Sequence, residues 1–177
     1  KPVHRELRGA HLGRATPLVT LNVRSFDMPL VNTRYILNRA KNPAIGLPHL
    51  DLLHVARRIF SRRLNDRSLG NLESVILGFR RSGDIPGAQI PAVYGDYLRS
   101  GITTDIARVF EHNTMDLLAL AALGGVLESM YNDPEAVAHA ADHLGLARSA
   151  FFAGQGERGF AHLHRADVTA ADTDRQA

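Results

Sequence analysis

The stretch Leu18-Val19-Thr20-Leu21-Asn22-Val23-Arg24-Ser25-Phe26-Asp27 decides how the chain folds. It opens with a short apolar run containing β-branched residues, which predicts a buried strand. It turns polar over Asn22-Val23-Arg24-Ser25, a strand-to-helix loop. At Asp27 it enters a helical stretch reaching about Leu37, with Pro29 tolerated in the first turn. Strand, polar rim and helix in that order predict an α/β arrangement, and a carboxylate at such a rim sits where α/β proteins place ligands. Asp27 can bind a divalent cation if another carboxylate faces it; as an N-cap residue it requires no function.

Outward from this stretch, residues 4–14 predict a short helix ending before Thr16-Pro17. Pro43 and Pro48 bracket a connection, His49-Leu50-Asp51 reads as a second strand, and a helix follows from about Leu52 to Arg63. Ser68 is placed to cap a helix over 69–77 that Gly78 stops. Asp84-Ile85-Pro86-Gly87 is a turn, and Ile90 to Leu98 is a helix closed by Gly101. From Thr104 to Tyr131, Ile106, Val109, Phe110, Leu117, Leu120, Leu123 and Leu127 recur near helical spacing and predict the longest helix. Beyond Asn132-Asp133-Pro134, two Ala-rich helical pieces flank Gly154-Gln155-Gly156, and residues 169–177 read as a disordered tail.

The 177 residues carry 21 Lys+Arg against 18 Asp+Glu and are 45% hydrophobic, the balance of one globular domain with a small appendage. The absence of Cys excludes disulfides, thiolate metal sites and cysteine nucleophiles. No apolar run reaches the roughly 18–20 residues that span a bilayer, and Lys1-Pro2-Val3-His4-Arg5-Glu6 lacks a signal-peptide core. A cytoplasmic location without a membrane partner is the expectation. The charge is lopsided: residues 1–67 hold 13 basic and 4 acidic side chains, whereas 68–132 and 133–177 each hold 4 and 7. An Arg-rich half suits phosphate contact; a solvated surface accounts for it equally.

A second polar constellation, Glu111-His112-Asn113-Thr114-Met115-Asp116, lies within the longest helix. His112 and Asp116 are four residues apart and share one face. Asp116 could ligate a metal while His112 orients or deprotonates its water; the other reading is the polar face of an amphipathic helix. Arg57, Arg58, Arg62, Arg63 and Arg67 could track a phosphate backbone or simply line an exposed face, with Phe60 their nearest aromatic. The pairs His139/His143 and His162/His164 fall short of the three or four ligands of a zinc site, and Asp51 between His49 and His54 has a spacing that could suggest a metal.

The pattern Asn22-x-x-x-Phe26-Asp27 after a strand, followed by His112-Asn113-x-x-Asp116 on a helix, resembles the second and third motifs of DEDD-type exonucleases of the ribonuclease H-like superfamily. Thr33-Arg34-Tyr35, His49-Leu50-Asp51-Leu52-Leu53-His54, Asp84-Ile85-Pro86-Gly87 and Ile90-Pro91-Ala92-Val93-Tyr94 are similar to the bacterial YprB-like branch, in which tetratricopeptide-like helices follow the exonuclease-like domain. The resemblance implies an α/β, ribonuclease H-like, helix-rich fold over residues 1–132, a tetratricopeptide-like helical extension over 133–168, and the tail. It implies 3′–5′ exonucleolytic cleavage of single-stranded DNA or RNA with Mg²⁺ or Mn²⁺ held by four carboxylates. Asp27 and Asp116 would be metal ligands and His112 would position the water. Asn22, Arg24, Phe26, Arg80, Arg81 and Asn113 would contact nucleic acid.

The first motif of that family, Asp-x-Glu on an opening strand, is not found: residues 1–21 hold one acidic residue, Glu6. The expectation is a chain lacking the leading strands, or a degenerate homologue, with two of four ligands and doubtful activity by itself. A non-catalytic nucleic-acid-binding or scaffold module is the alternative, and the C-terminal helices could take a protein partner.

Overall fold

The computed structural model describes residues 17–23 and 27–176. The helix expected over residues 4–14, and the candidates Arg24 and Phe26, lie outside them. The described parts of the deciding stretch form the expected strand and helix, but the strand is not the buried one expected: Val19 is 44% exposed and Thr20 alone is buried. Strand β1 (Leu18–Thr20) leads to Asn22, whose φ of 62° is a left-handed conformation that Asn tolerates, and helix α1 occupies Asp27–Leu37. Strand β2 (His49–Asp51) pairs parallel with β1, Leu18 opposite His49 and Thr20 opposite Asp51. Thr20 Oγ1 lies 2.7 Å from His49 Nε2 across the pair. Asp51 Oδ1 accepts from the backbone N–H of Asn22 at 2.8 Å and of Leu53 at 3.1 Å. It thereby caps helix α2 (Leu52–Ile59) and ties the end of β1 to the start of that helix.

Helix α2 buries Leu52, Leu53, Ala56 and Ile59 at helical spacing and leaves Arg57 and Arg58 exposed. It continues into a 3₁₀ turn, Phe60–Arg62. The remaining helices are α3 (Leu69–Val75), α4 (Ile90–Ser100), α5 (Thr104–Asn132), α6 (Ala140–Phe152) and α7 (Gly156–Gln176). The main core joins Leu52, Ala56, Ile59 and Phe60 to Leu72 of α3, Leu123, Leu127 and Met130 of α5, and Leu146 of α6. A smaller cluster packs Ile85, Ile106 and Val109 against Ile90, Val93 and Tyr97. The molecule is α/β and strongly helix-rich, with a two-stranded sheet among the described residues.

The structure places some of these residues differently from the sequence reading. Phe110 and Leu117 of the predicted stripe on α5 are each 67% exposed. The stripe is divided: Ile106 and Val109 serve the smaller cluster, Leu123, Leu127 and Met130 serve the main core, and the middle turns a polar side inward. Among the described residues α5 is also the one helix long and apolar enough to cross a bilayer by length and composition, although Arg108, Glu111, Asp116 and Glu128 interrupt its apolar residues. The expected disordered tail is helical through Gln176, since residues 160–176 contain neither Gly nor Pro to stop α7. The division at residue 132 is crossed by the main core, because Val137 and Leu146 belong to it.

Two polar ties sit in the packing of α6. Arg63 grips Asp142 with Nε to Oδ1 at 3.0 Å and Nη2 to Oδ2 at 2.8 Å. His143 and His162, both buried, approach Nδ1 to Nδ1 at 3.1 Å between α6 and α7. One ring must donate and the other accept, so the contact requires a neutral ring. Burial first, with repulsion from the His162 ring for His143 and from Arg158 for His162, outweighs the backbone carbonyls and the Asp142 carboxylate and holds both below the ordinary 6.5. The unfolded chain therefore takes up these protons at higher pH than the folded chain. Their contribution is full above about pH 6.5 and declines as the pH falls through and below that value. Urea unfolding from about pH 7.5 down to about pH 5 should show this decline, and His162→Leu should flatten it; identical pH profiles for the two proteins would refute the assignment.

Candidate active site

Helix α5 carries His112 and Asp116 one turn apart, and the loop after α3 brings Arg81 and Asp84 against them. Arg81 is the hub. Its Nε donates to both carboxylate oxygens of Glu73, at 3.1 and 3.0 Å, and its Nη2 bonds Glu73 as well. Its Nη1 donates to Asp84 Oδ2 at 3.0 Å, and its Nη2 to Asp116 Oδ1 at 2.7 Å. His112 Nδ1 lies 2.9 Å from both oxygens of Asp84, and its Nε2 lies 3.5 Å from Asp116 Oδ2. The backbone N–H of Ile85 fixes Asp84 Oδ1 at 2.8 Å.

Burial raises the pKa of Asp84, but hydrogen bonds from His112 and Arg81 outweigh it, so the carboxyl sits below its ordinary 3.8. Burial works against the charge of Arg81, yet Glu73, Asp116 and Asp84 outweigh it and raise its pKa. Three carboxylates against one guanidinium leave the group anionic whether or not His112 is protonated. A cleft of about 400 Å³ opens beside it, lined in part by Phe79, Arg81, Asp84, Glu111 and Met115. Asp84 orients the imidazole through Nδ1 and leaves Nε2 on the Asp116 side, an arrangement able to take up or release a proton at Nε2.

The structure thus gathers three sequence candidates, His112, Asp116 and Arg81; Arg24 and Phe26 lie outside the described residues, and Asp27, Asn22, Asn113 and Arg80 do not join the group. Asp27 is exposed at the start of α1, and among the described residues no hydrogen bond or ion pair joins it to the cluster. Asn22 is exposed at the end of β1, and Asn113 on α5. Arg80 is exposed and donates from Nε to Ser74 Oγ at 3.1 Å. Arg81, expected as a nucleic-acid contact, has its side chain only 12% exposed and drawn inward by three carboxylates. Glu73 and Asp84 were not singled out from sequence. Asp84 was legible as a turn residue and as part of the Asp84-Ile85-Pro86-Gly87 resemblance, with no role attached to it, while Glu73 beside Leu72 in a short helix had no motif to mark it.

The same geometry tests the metal reading. Mg²⁺ demands near-octahedral oxygen ligation. Asp116 is already engaged by Arg81, Asp27 does not join it, and among the described residues no group of three or more His, Asp or Glu is placed to hold a metal ion. The described residues alone do not form the four-carboxylate site.

A family model described as RNase_H superfamily matches residues 3–128. An uncharacterized protein of Bacillus subtilis (strain 168), YprB, is 39% identical over 109 residues, a match covering 61% of this chain. That match spans 26% of the relative's own length. No solved structure matches.

Proposed function

Because the chain belongs to the RNase H superfamily, we propose that it acts on single-stranded DNA or RNA as a DEDD-type 3′–5′ exonuclease of the YprB-like branch. The observation that supports this reading is the convergence of His112 and Asp116 with Asp84 and Arg81 at one cleft, within the residues the superfamily model matches. In this proposal Asp84 holds the His112 ring, His112 moves a proton at Nε2, and Asp116 faces the scissile phosphate. Arg81 keeps the three carboxylates together. Mg²⁺ or Mn²⁺ is the proposed cofactor, with Asp116 and Asp27 contributing; ligands beyond the described residues would have to complete its shell. Helices α6 and α7 are proposed as the start of a tetratricopeptide-like extension open to a protein partner, and the cytoplasm as the location.

A second reading is a binding module without turnover. It is favoured by the Arg81 pairing of Asp116 and by the shortage of grouped ligands among the described residues.

Mn²⁺-dependent degradation of end-labelled single-stranded DNA and RNA separates the two. The exonuclease reading expects stepwise 3′ shortening that Asp116→Asn and Asp27→Asn abolish, and that His112→Gln slows about 10²–10⁴-fold, the usual contribution of a positioned acid–base group. Retained binding with no shortening by the unaltered chain would select the second reading.

A further inference from the structure

We propose that the ridge formed by α2, its 3₁₀ extension and the end of α6 is a platform for single-stranded nucleic acid. Phe152 takes the face of a base there, and Arg58 and Arg148 take the adjoining phosphates. The platform uses none of the residues of the His112 cluster and stands whether or not the chain cleaves.

Phe152 is 72% exposed at the end of α6. Two guanidinium groups approach its ring, Arg58 with Cζ 5.9 Å from the centroid and Arg148 with Cζ 5.6 Å. Two like charges thus converge on one exposed ring, and among the described residues neither Arg58 nor Arg148 forms an ion pair. Residues 52–64 contain no Asp or Glu, while Arg57, Arg58 and Arg62 are all exposed. The acidic residue of α6, Asp142, is buried and held by Arg63. The complement of this basic surface is an anion.

The surface is also apolar. Phe151 and Phe160 meet edge to face at 5.2 Å, and Phe151 is seated on Gly159, where a Cβ would come within 2.6 Å of its ring. Beside them lies a cleft of about 420 Å³ with Leu144, Ala147 and Leu163 in its lining and Arg148 and Phe152 among its walls. Residues 156–170 of α7 carry both signs, Glu157 and Asp167 with Arg158 and Arg165, whereas the exposed charges of α2, its extension and the end of α6 are arginines, so the strand is placed along α2 and α6. A purely apolar partner would leave the arginines unmatched, and a duplex hides its base faces. A single strand offers both a π-face and phosphates, the combination that aromatic and arginine side chains recognise together. The sequence showed the arginine run but only Phe60 as company. That ring is buried, and the fold supplies Phe152 from almost a hundred residues away.

The test is fluorescence anisotropy of the whole chain with labelled oligo-dT and oligo-rU in EDTA, so that binding is read without cleavage. Phe152→Leu should weaken affinity about tenfold and Phe152→Trp should retain it, because stacking needs a π-face. Arg58→Ala with Arg148→Ala should lower the slope of log affinity against log salt by about 1.4, two phosphates at the single-strand value. Unchanged affinity in Phe152→Leu, an unchanged slope in the double variant, or a dimer dispersed by Phe152→Leu without any effect on oligonucleotide affinity would each overturn the platform. Failure to observe shortening in the Mn²⁺ assay would leave these affinities as they are, so the two readings fail separately.

Discussion

Arg81→Met is expected to destabilise the fold by about 3–5 kcal/mol, the cost of removing one partner from a buried ion pair. Glu73 is 2% exposed, and its carboxylate depends on Arg81 for the hydrogen bonds seen at 3.0 and 3.1 Å. Without the guanidinium, Glu73 must either stay charged without that partner or take up a proton, and Asp84 and Asp116 lose the cation that lets them sit close together. The loss should be largely recovered by combining Arg81→Met with Glu73→Leu, since replacing both members of a buried pair removes the stranded charge. Urea unfolding of the two single variants and the double variant measures this directly. A loss below about 1 kcal/mol for Arg81→Met would mean that the pair behaves as a surface salt bridge.

Gly145→Ala should be comparably severe, with a loss of about 3 kcal/mol or more, at the upper end of what overpacking costs. A Cβ at Gly145 would lie 2.2 Å from the carbonyl oxygen of Ile59 and 2.7 Å from its Cα. These are backbone atoms and cannot swing aside as a side-chain tip would, so α6 must move off the end of α2. Movement there also strains the Arg63–Asp142 grip, formed by residues next to each contact point. Gly125→Ala is the control. It lies exposed within α5, an added Cβ meets nothing within 4 Å, and relief of glycine's conformational entropy should stabilise by about 0.5–1 kcal/mol. Thermal unfolding of both variants decides the matter, and equal Tm values for Gly145→Ala and the unaltered chain would show that the helices are not pressed together as described.

Much of the fold was legible because short-range signals governed it. The apolar run at Leu18, the Pro-bounded His49-Leu50-Asp51 and the period of α2 each fixed a local choice that packing then respected. Helix α5 shows where periodicity stops being informative. One continuous stripe was read from Phe110 and Leu117, yet the helix serves two separate clusters whose contacts come from distant segments. The candidate site was half visible for the same reason. His112 and Asp116 declare themselves by an i, i+4 spacing, whereas Asp84 reaches His112 across 28 residues and Arg81 reaches Asp116 across 35. No spacing rule marks such pairs. Arginine composition suited a phosphate-facing surface and a solvated one equally, and it could not say that Arg81 turns inward while Arg58 stays out.

The core that joins Leu52, Phe60 and Leu146 bears on how the chain responds to anything it binds. Because α6 shares its packing with α2 and α5, it is not free to loosen alone while the rest stays intact, and these segments are expected to open together as one cooperative unit. A ligand held at the Phe152 end would then raise the free energy of unfolding for the helix that carries His112, by mass action and with no change in shape. Two regions with different chemistry would thus share a single reservoir of stability, and occupancy of one would be felt as rigidity in the other.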